Sequence, residues 1–456
     1  MRPLVLVGLL LAGCGDPPLL ELVVTTPQGP DPLAGVDSLR LLVTNPAGET
    51  TESVQDPSSF SVEVEVEAQS EVGSILLEGY TAGKLAARGE TPPMVLRPVD
   101  DRIVLLVAAA GELSPLRPRL GAAGREMTTL LLPGLGVLLA GGLDGAGKVS
   151  SAVELYDFLE HRLVPQPTLV APSTGAVAAI CGSHCAVLAT GADEQGLATR
   201  LQRFDGTAWE SFADGLAPGE RRARAGIAPL DDGTFVIVGG QGPAGAQRSV
   251  LLLEPGQTGS DPRLTVLPST SPAARVAPAL AASGGIVLAA GGQGAGEPAA
   301  ELFYASSSSF QPVTLPGTAP SEGTAAVELG DGRLAIVGGR DEAGQLITDG
   351  WIVDPVSLKV THRGDALTQG RAGHRVLRVG DRLLVLGGTL GPSLADQAEV
   401  LSAKDLSNLG ATPMSRPREA FGAVLLGKGS ALVAGGGDAR GSVDVLEIYE
   451  TDVPSS

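Results

Sequence analysis

Gly136-Val137-Leu138-Leu139-Ala140-Gly141-Gly142 is an apolar strand that runs into a glycine pair, and the chain repeats it. CAVLATG ends at Thr190-Gly191, TFVIVGG at Gly239-Gly240, IVLAAGG at Gly291-Gly292, RLAIVGG at Gly338-Gly339, RLLVLGG at Gly387-Gly388 and SALVAGG at Gly435-Gly436. The copies follow one another at steps of 47 to 52 residues. A strand unit this short cannot bury its own faces, and stacked copies can. Each copy carries four apolar segments. The first copy has Arg125-Glu126-Met127-Thr128-Thr129-Leu130-Leu131, then the glycine-ended strand, then Ala152-Val153-Glu154-Leu155-Tyr156-Asp157 after a variable loop, then His161-Arg162-Leu163-Val164. Four strands per repeat is one propeller blade, and seven blades make a comfortable ring, so the expected fold class is all-β. Glycine suits the narrow end of a blade, where backbones crowd and φ turns positive.

The pattern resembles the kelch repeat, which adds a tyrosine in the third strand and a tryptophan about six residues later. Tyr156, Tyr304 and Tyr449 stand at the tyrosine place, with Phe204 in the second copy. Trp209 follows Phe204, Phe310 follows Tyr304, and Trp351 falls in a third strand instead. The resemblance covers residues 103–450 and implies a seven-bladed kelch-type propeller, with residues 451–456 as a tail. The last copy runs out after its third strand, Val443 to Tyr449. A fourth strand must come from elsewhere if no edge is to stay open. Two upstream donors are open: the run Arg102 to Val107, or Leu113 to Leu120 with 102–109 completing the preceding domain.

Residues 20–102 lack the repeat. Residues 59–67 alternate, with Phe60, Val62, Val64 and Val66 on one face and Ser61, Glu63, Glu65 and Glu67 on the other. Such alternation predicts a half-buried antiparallel strand. With several short strands around it, an immunoglobulin-like β-sandwich is expected, acting as a spacer. Ahead of it, Met1-Arg2 and the apolar run Leu4 to Leu11 lead into Leu11-Ala12-Gly13-Cys14. That junction resembles a bacterial lipobox. The resemblance implies a signal peptide over 1–13, fatty acyl chains such as palmitate carried by Cys14, and a tether over 14–19. Two or more chains suffice to hold a protein at a membrane. Gly15 directly after the cysteine, with Asp16 one further on, favours the outer membrane.

Aromatic residues make up only 3% of the chain, so its cores must be Val, Leu, Ile and Ala. The formal net charge of -19 argues against nucleic acid as a partner and suits a soluble monomer. Cys181 and Cys185 flank a short turn, where a disulfide is expected in an oxidising envelope and free thiols are the alternative. His161, His184, His362 and His374 show no metal-binding spacing, and no cofactor is expected.

Arginine recurs at or within one residue of the place sixteen before the first glycine, as Arg125, Arg222 (or Arg224), Arg275, Arg371 and Arg418. Two readings stay open. These arginines, with His374, line one mouth of the channel and bind an anion; or each pairs with turn carbonyls and neighbouring carboxylates. The loops after the glycine pairs open on the same face, the usual place for binding on a rigid scaffold. The leading functional expectation is a lipid-anchored envelope protein that binds a protein or glycan through one propeller face, without catalysis. A sugar-directed isomerase, oxidase or lyase and a purely structural envelope component are the alternatives.

Overall fold

The computed structural model describes residues 5–7, 21–45, 48–54, 72–95, 102–256, 259–294 and 296–455. Cys14 and the alternating stretch 59–67 lie outside the described residues. Apart from one 3-10 turn at Pro218–Glu220, every regular element described is a β-strand, so the protein is all-β.

Each glycine-marked copy folds as an antiparallel sheet whose strands pair in chain order. In the first, Thr128–Leu132, Gly136–Ala140, Val153–Asp157 and Arg162–Pro165 lie side by side. The glycine-ended strands are the most buried, as continuous apolar runs with sheets packed on both faces must be. The glycine pair itself is required by geometry. Gly141 and Gly142 have φ of 65° and 86°, and a Cβ on either would collide with the carbonyl oxygens of Ser173 and Arg125. In the second copy Thr190 takes the first glycine's place and the same left-handed conformation, φ 60°.

Backbone hydrogen bonds link neighbouring sheets at six of the seven junctions. The Gly142 N–H donates to Ser173 O at 2.7 Å, Gly191 to Arg222 O at 2.9 Å, and Gly240 to Arg275 O at 2.7 Å. Gly339 donates to Arg371 O at 2.9 Å, Gly388 to Arg418 O at 3.0 Å, and Gly436 of the last copy to Gly124 O of the first at 2.9 Å. The opening strands touch in the same sequence, and Gly422–Leu425 of the last sheet touches Thr128–Leu132 of the first.

The last sheet takes its fourth strand from upstream. Leu113–Arg119 pairs antiparallel with Val445–Glu450, Leu113 opposite Tyr449 and Pro115 opposite Glu447. Leu113, Leu116 and Leu120 are buried there. Of the two donors open from sequence, it is the second.

The N-terminal region forms two sheets over one core. One orders Gly48–Val54, Ser38–Asn45, Val72–Thr81, Lys84–Glu90 and Ala108–Ala109; the other pairs Glu21–Thr25 with Arg102–Leu106 and carries Val5–Val7, from the expected signal peptide, on its outer edge. The boundary expected at residue 102 therefore falls at the start of a strand of this region, Arg102–Leu106, which runs parallel to Glu21–Thr25. Its side chains alternate. Ile103, Leu105 and Val107 enter the N-terminal core, while Leu106 and Ala108 pack with Leu116, Leu446 and Ile448 of the last sheet. A strand shared in this way makes the N-terminal region part of the larger body rather than a loose spacer.

Buried polar side chains lock the same junction. Arg88 bonds Glu450 and Glu90, each at 2.7 Å, and the Ser430 hydroxyl donates to Glu450 at 2.6 Å. The tail also returns to the N-terminal region: Arg40 Nη1 donates to Ser455 O at 2.9 Å, and Ser455 N–H to Glu78 at 2.7 Å. Burial pushes the Glu450 carboxyl up to about 8, although Arg88 and the Ser430 hydroxyl oppose it. The folded state thus holds a proton that the unfolded chain releases near 4.5. This contribution is complete below the unfolded value and is lost as pH rises through the folded one. Scanning calorimetry from pH 5 to 8.5 is therefore expected to show Tm falling more steeply in the parent than in Glu450→Gln. Parallel curves for the two proteins would show that Glu450 is ionised throughout.

Candidate functional site

The site is built on the turn that feeds each opening strand. In every copy one residue of that turn has positive φ: Glu126 at 54°, Gly175 at 59°, Arg224 at 55°, Ala277 at 54°, Gly323 at 64°, Gly373 at 69° and Ala420 at 51°. The residue just before it bridges to the residue after the glycine pair, as Arg125 to Leu143, Ala223 to Gln241, Glu322 to Arg340 and Glu419 to Gly437. The loops after the glycine pairs thus reach the same face as the turns, as the sequence led us to expect.

The arginines two residues before the positive-φ position do not open to that face. Arg222, Arg275, Arg371 and Arg418 are all buried. Each donates Nη1 to the carbonyl of the first glycine of its own copy: Gly239 at 3.2 Å, Gly291 at 2.7 Å, Gly387 at 3.4 Å and Gly435 at 3.2 Å. Each also meets a carboxylate, Glu220, Glu301, Glu399 or Glu447. Burial lowers the pKa of all four, Arg222 to about 10, with the carboxylates opposing. Their forks are consumed inside the sheets, so the anion-binding reading is corrected for these residues. They clamp the glycine corner.

Arg125 is corrected differently. It stands one residue out of register, in the bridging position, and Gly124 occupies the place of the buried arginines. His374 is buried too. Its Nε2 lies 3.1 Å from Val337 O, and burial, helped by Arg371, drives its pKa down to about 3. A neutral imidazole donating to a carbonyl is not an anion ligand. The remaining predicted residues sit in packing roles. Tyr156 is buried with its hydroxyl 2.9 Å from His161 Nδ1, and Tyr449 is buried opposite Leu113. Trp209 lies against Phe204, ring centroids 5.2 Å apart. Tyr304 donates to Pro355 O at 3.0 Å. Cys181 and Cys185 are joined as a disulfide, Cα atoms 5.0 Å apart.

What the turns do enclose is a cavity of about 680 Å³ between the opening strands. Its wall is about as polar as apolar, with small and aliphatic residues such as Ala176, Ile227, Pro278, Ala325 and Val376 among those lining it. Charge enters at six places: Arg224, Arg340 and Arg375, and Glu126, Glu322 and Glu419. None of these three arginines has a carboxylate within ion-pair distance among the described residues, in contrast to the buried four. Arg340 donates to Gly344 O at 3.1 Å, and Arg375 Nε to Phe421 O at 3.4 Å. Among the described residues no three His, Cys, Asp or Glu side chains gather as for a metal ion. Of this set the sequence offered Arg224 as the alternative to Arg222, whereas Arg340 and Arg375 stand outside the recurrent spacing and gave no such signal. Compared with known proteins, the chain matches no family model and no curated sequence.

Proposed function

We propose that the seven sheets close as a seven-bladed kelch-like propeller, held at the cell envelope by lipid on Cys14, and that the protein binds a protein or glycan partner through the cavity-bearing face. The observation that carries the binding reading is the contrast between two arginine sets. One is spent on internal carbonyls and carboxylates, and the other, Arg224, Arg340 and Arg375, has no carboxylate within ion-pair distance among the described residues and lines an open cavity. Cations held ready at fixed turns and a strand start are what a binding face needs and what a purely structural ring does not. The hydrogen bond from Gly436 to Gly124 and the borrowed strand Leu113–Arg119 support closure. The glycine pairs and the tyrosine places support the kelch likeness, and Leu11-Ala12-Gly13-Cys14 supports the anchor.

Cross-linking on intact envelopes tests the reading. The full chain should capture the same discrete partner in replicate preparations, and Arg224→Ser/Arg340→Ser should lose it at unchanged Tm. Identical capture by the two proteins would rule out this face as the binding surface.

A further inference from the structure

The residue that pairs with the last residue before each glycine pair is structurally equivalent in all seven copies. The seven pairs are Thr128 with Ala140, Val177 with Ala189, Gly226 with Val238, Ala279 with Ala290, Ala325 with Val337, Arg375 with Leu386 and Gly422 with Ala434. Six of these seven positions carry an uncharged residue, mostly small, and one carries arginine. The fold therefore does not need a cation there. Arg375 nevertheless projects into the cavity, and only its Nε is engaged, on Phe421 O. Its Nη atoms find no acceptor among the described residues. The side chain is exposed within the cavity, and among the described residues no carboxylate lies within ion-pair distance of it, so its fork is free to meet a ligand.

We propose that Arg375 is the anchor of a site inside the cavity for a small monoanionic carboxylate with an apolar body. A guanidinium fork and a carboxylate match as two parallel hydrogen bonds. The body would lie against Ala325, Ala326, Val376 and Phe421 of the wall. The volume of about 680 Å³ is that of a small-molecule pocket. A single negative charge is favoured over a phosphate dianion because Glu126, Glu322 and Glu419 share the cavity and leave no net positive charge. The inference deepens the binding reading given above and rests on it.

Isothermal titration of the full chain with hexanoate, benzoate, hexanol and inorganic phosphate tests it. Hexanoate or benzoate should bind the parent protein at least tenfold more tightly than hexanol, and phosphate should not bind. Arg375→Ala should lose tenfold or more in carboxylate affinity, Arg375→Lys should lose less, and neither should lower the Tm of the ligand-free protein. No carboxylate binding to the parent, carboxylate binding unchanged in Arg375→Ala, or phosphate binding as tight as carboxylate would each overturn the proposal. So would a Tm several degrees lower in Arg375→Ala, because the arginine would then be a structural group. Capture of an envelope partner sensitive to Arg224 and Arg340, together with failure of these titrations, would leave the binding face standing and remove only the carboxylate site.

Discussion

A chain shortened to begin at Gly121 is expected to melt roughly 10 °C below one that begins at Gly111, and to aggregate where the longer one stays monomeric. Both lack the N-terminal sheets. They differ in the strand Leu113–Arg119, which pairs with Val445–Glu450. Without it Leu113, Leu116 and Leu120 leave their buried places, each worth about 1.5–3 kcal/mol. The N–H and C=O groups along one side of Val445–Glu450 would also lose their partners, and an open apolar edge is a template for association. Calorimetry and light scattering on the two chains read both effects. Matching Tm values, with both chains monomeric, would show that the last sheet is stable with three strands.

The second large effect is expected at Glu301. Glu301→Leu should destabilise the protein by about 3–5 kcal/mol, the cost of leaving a buried cation without its partner. Arg275 and Glu301 are both fully buried and 3.2 Å apart. Arg275 also holds the carbonyls of Gly291 and Pro298, and the Ser271 hydroxyl donates to Glu301. The comparison that separates charge from packing is Arg275→Met/Glu301→Leu, which removes the cation with the anion. It should recover part of the loss, though not all, because the freed carbonyls stay dry. Urea unfolding of the parent, the single and the double variants gives the three values. A single variant within 1 kcal/mol of the parent would mean that water reaches Arg275.

The glycine beat made the strand ends legible because a glycine pair answers a backbone collision, and that collision recurs wherever the corner recurs. Arginine was legible as a recurrent residue but not in its role. Its distance from the glycine depends on the hairpin between the first two strands. Two-residue turns, as between Ser283 and Ile286 or Val379 and Arg382, put Arg275 and Arg371 sixteen residues back. Longer turns put Arg222 and Arg418 seventeen back. The first copy has a longer turn between Leu132 and Gly136, so its register place is Gly124, and Arg125 entered the set by a miscount of one. The buried glutamates were harder to see, since Glu301, Glu399 and Glu447 lie on third strands after loops of variable length. The ring of positive-φ residues gave a partial signal in Gly175, Gly323 and Gly373. Glu126, Arg224, Ala277 and Ala420 adopt the same conformation without glycine and concealed it. Arg375 was legible in principle, as the one charged residue among seven equivalent strand starts, but only after the register was fixed.

The seam between Leu113–Arg119 and Val445–Glu450, with Arg88 on Glu450 and Arg40 on Ser455, has a consequence for biogenesis. A polypeptide delivered from its N-terminus offers Leu113–Arg119 early and Val445–Glu450 only after the six intervening sheets. Until then the Leu113–Arg119 strand has no partner, and the Arg88 guanidinium has no Glu450. The seam is therefore a late step, however quickly individual hairpins form, because pairing over so long a sequence separation is slow. During that interval the unfinished protein exposes strand edges that invite association.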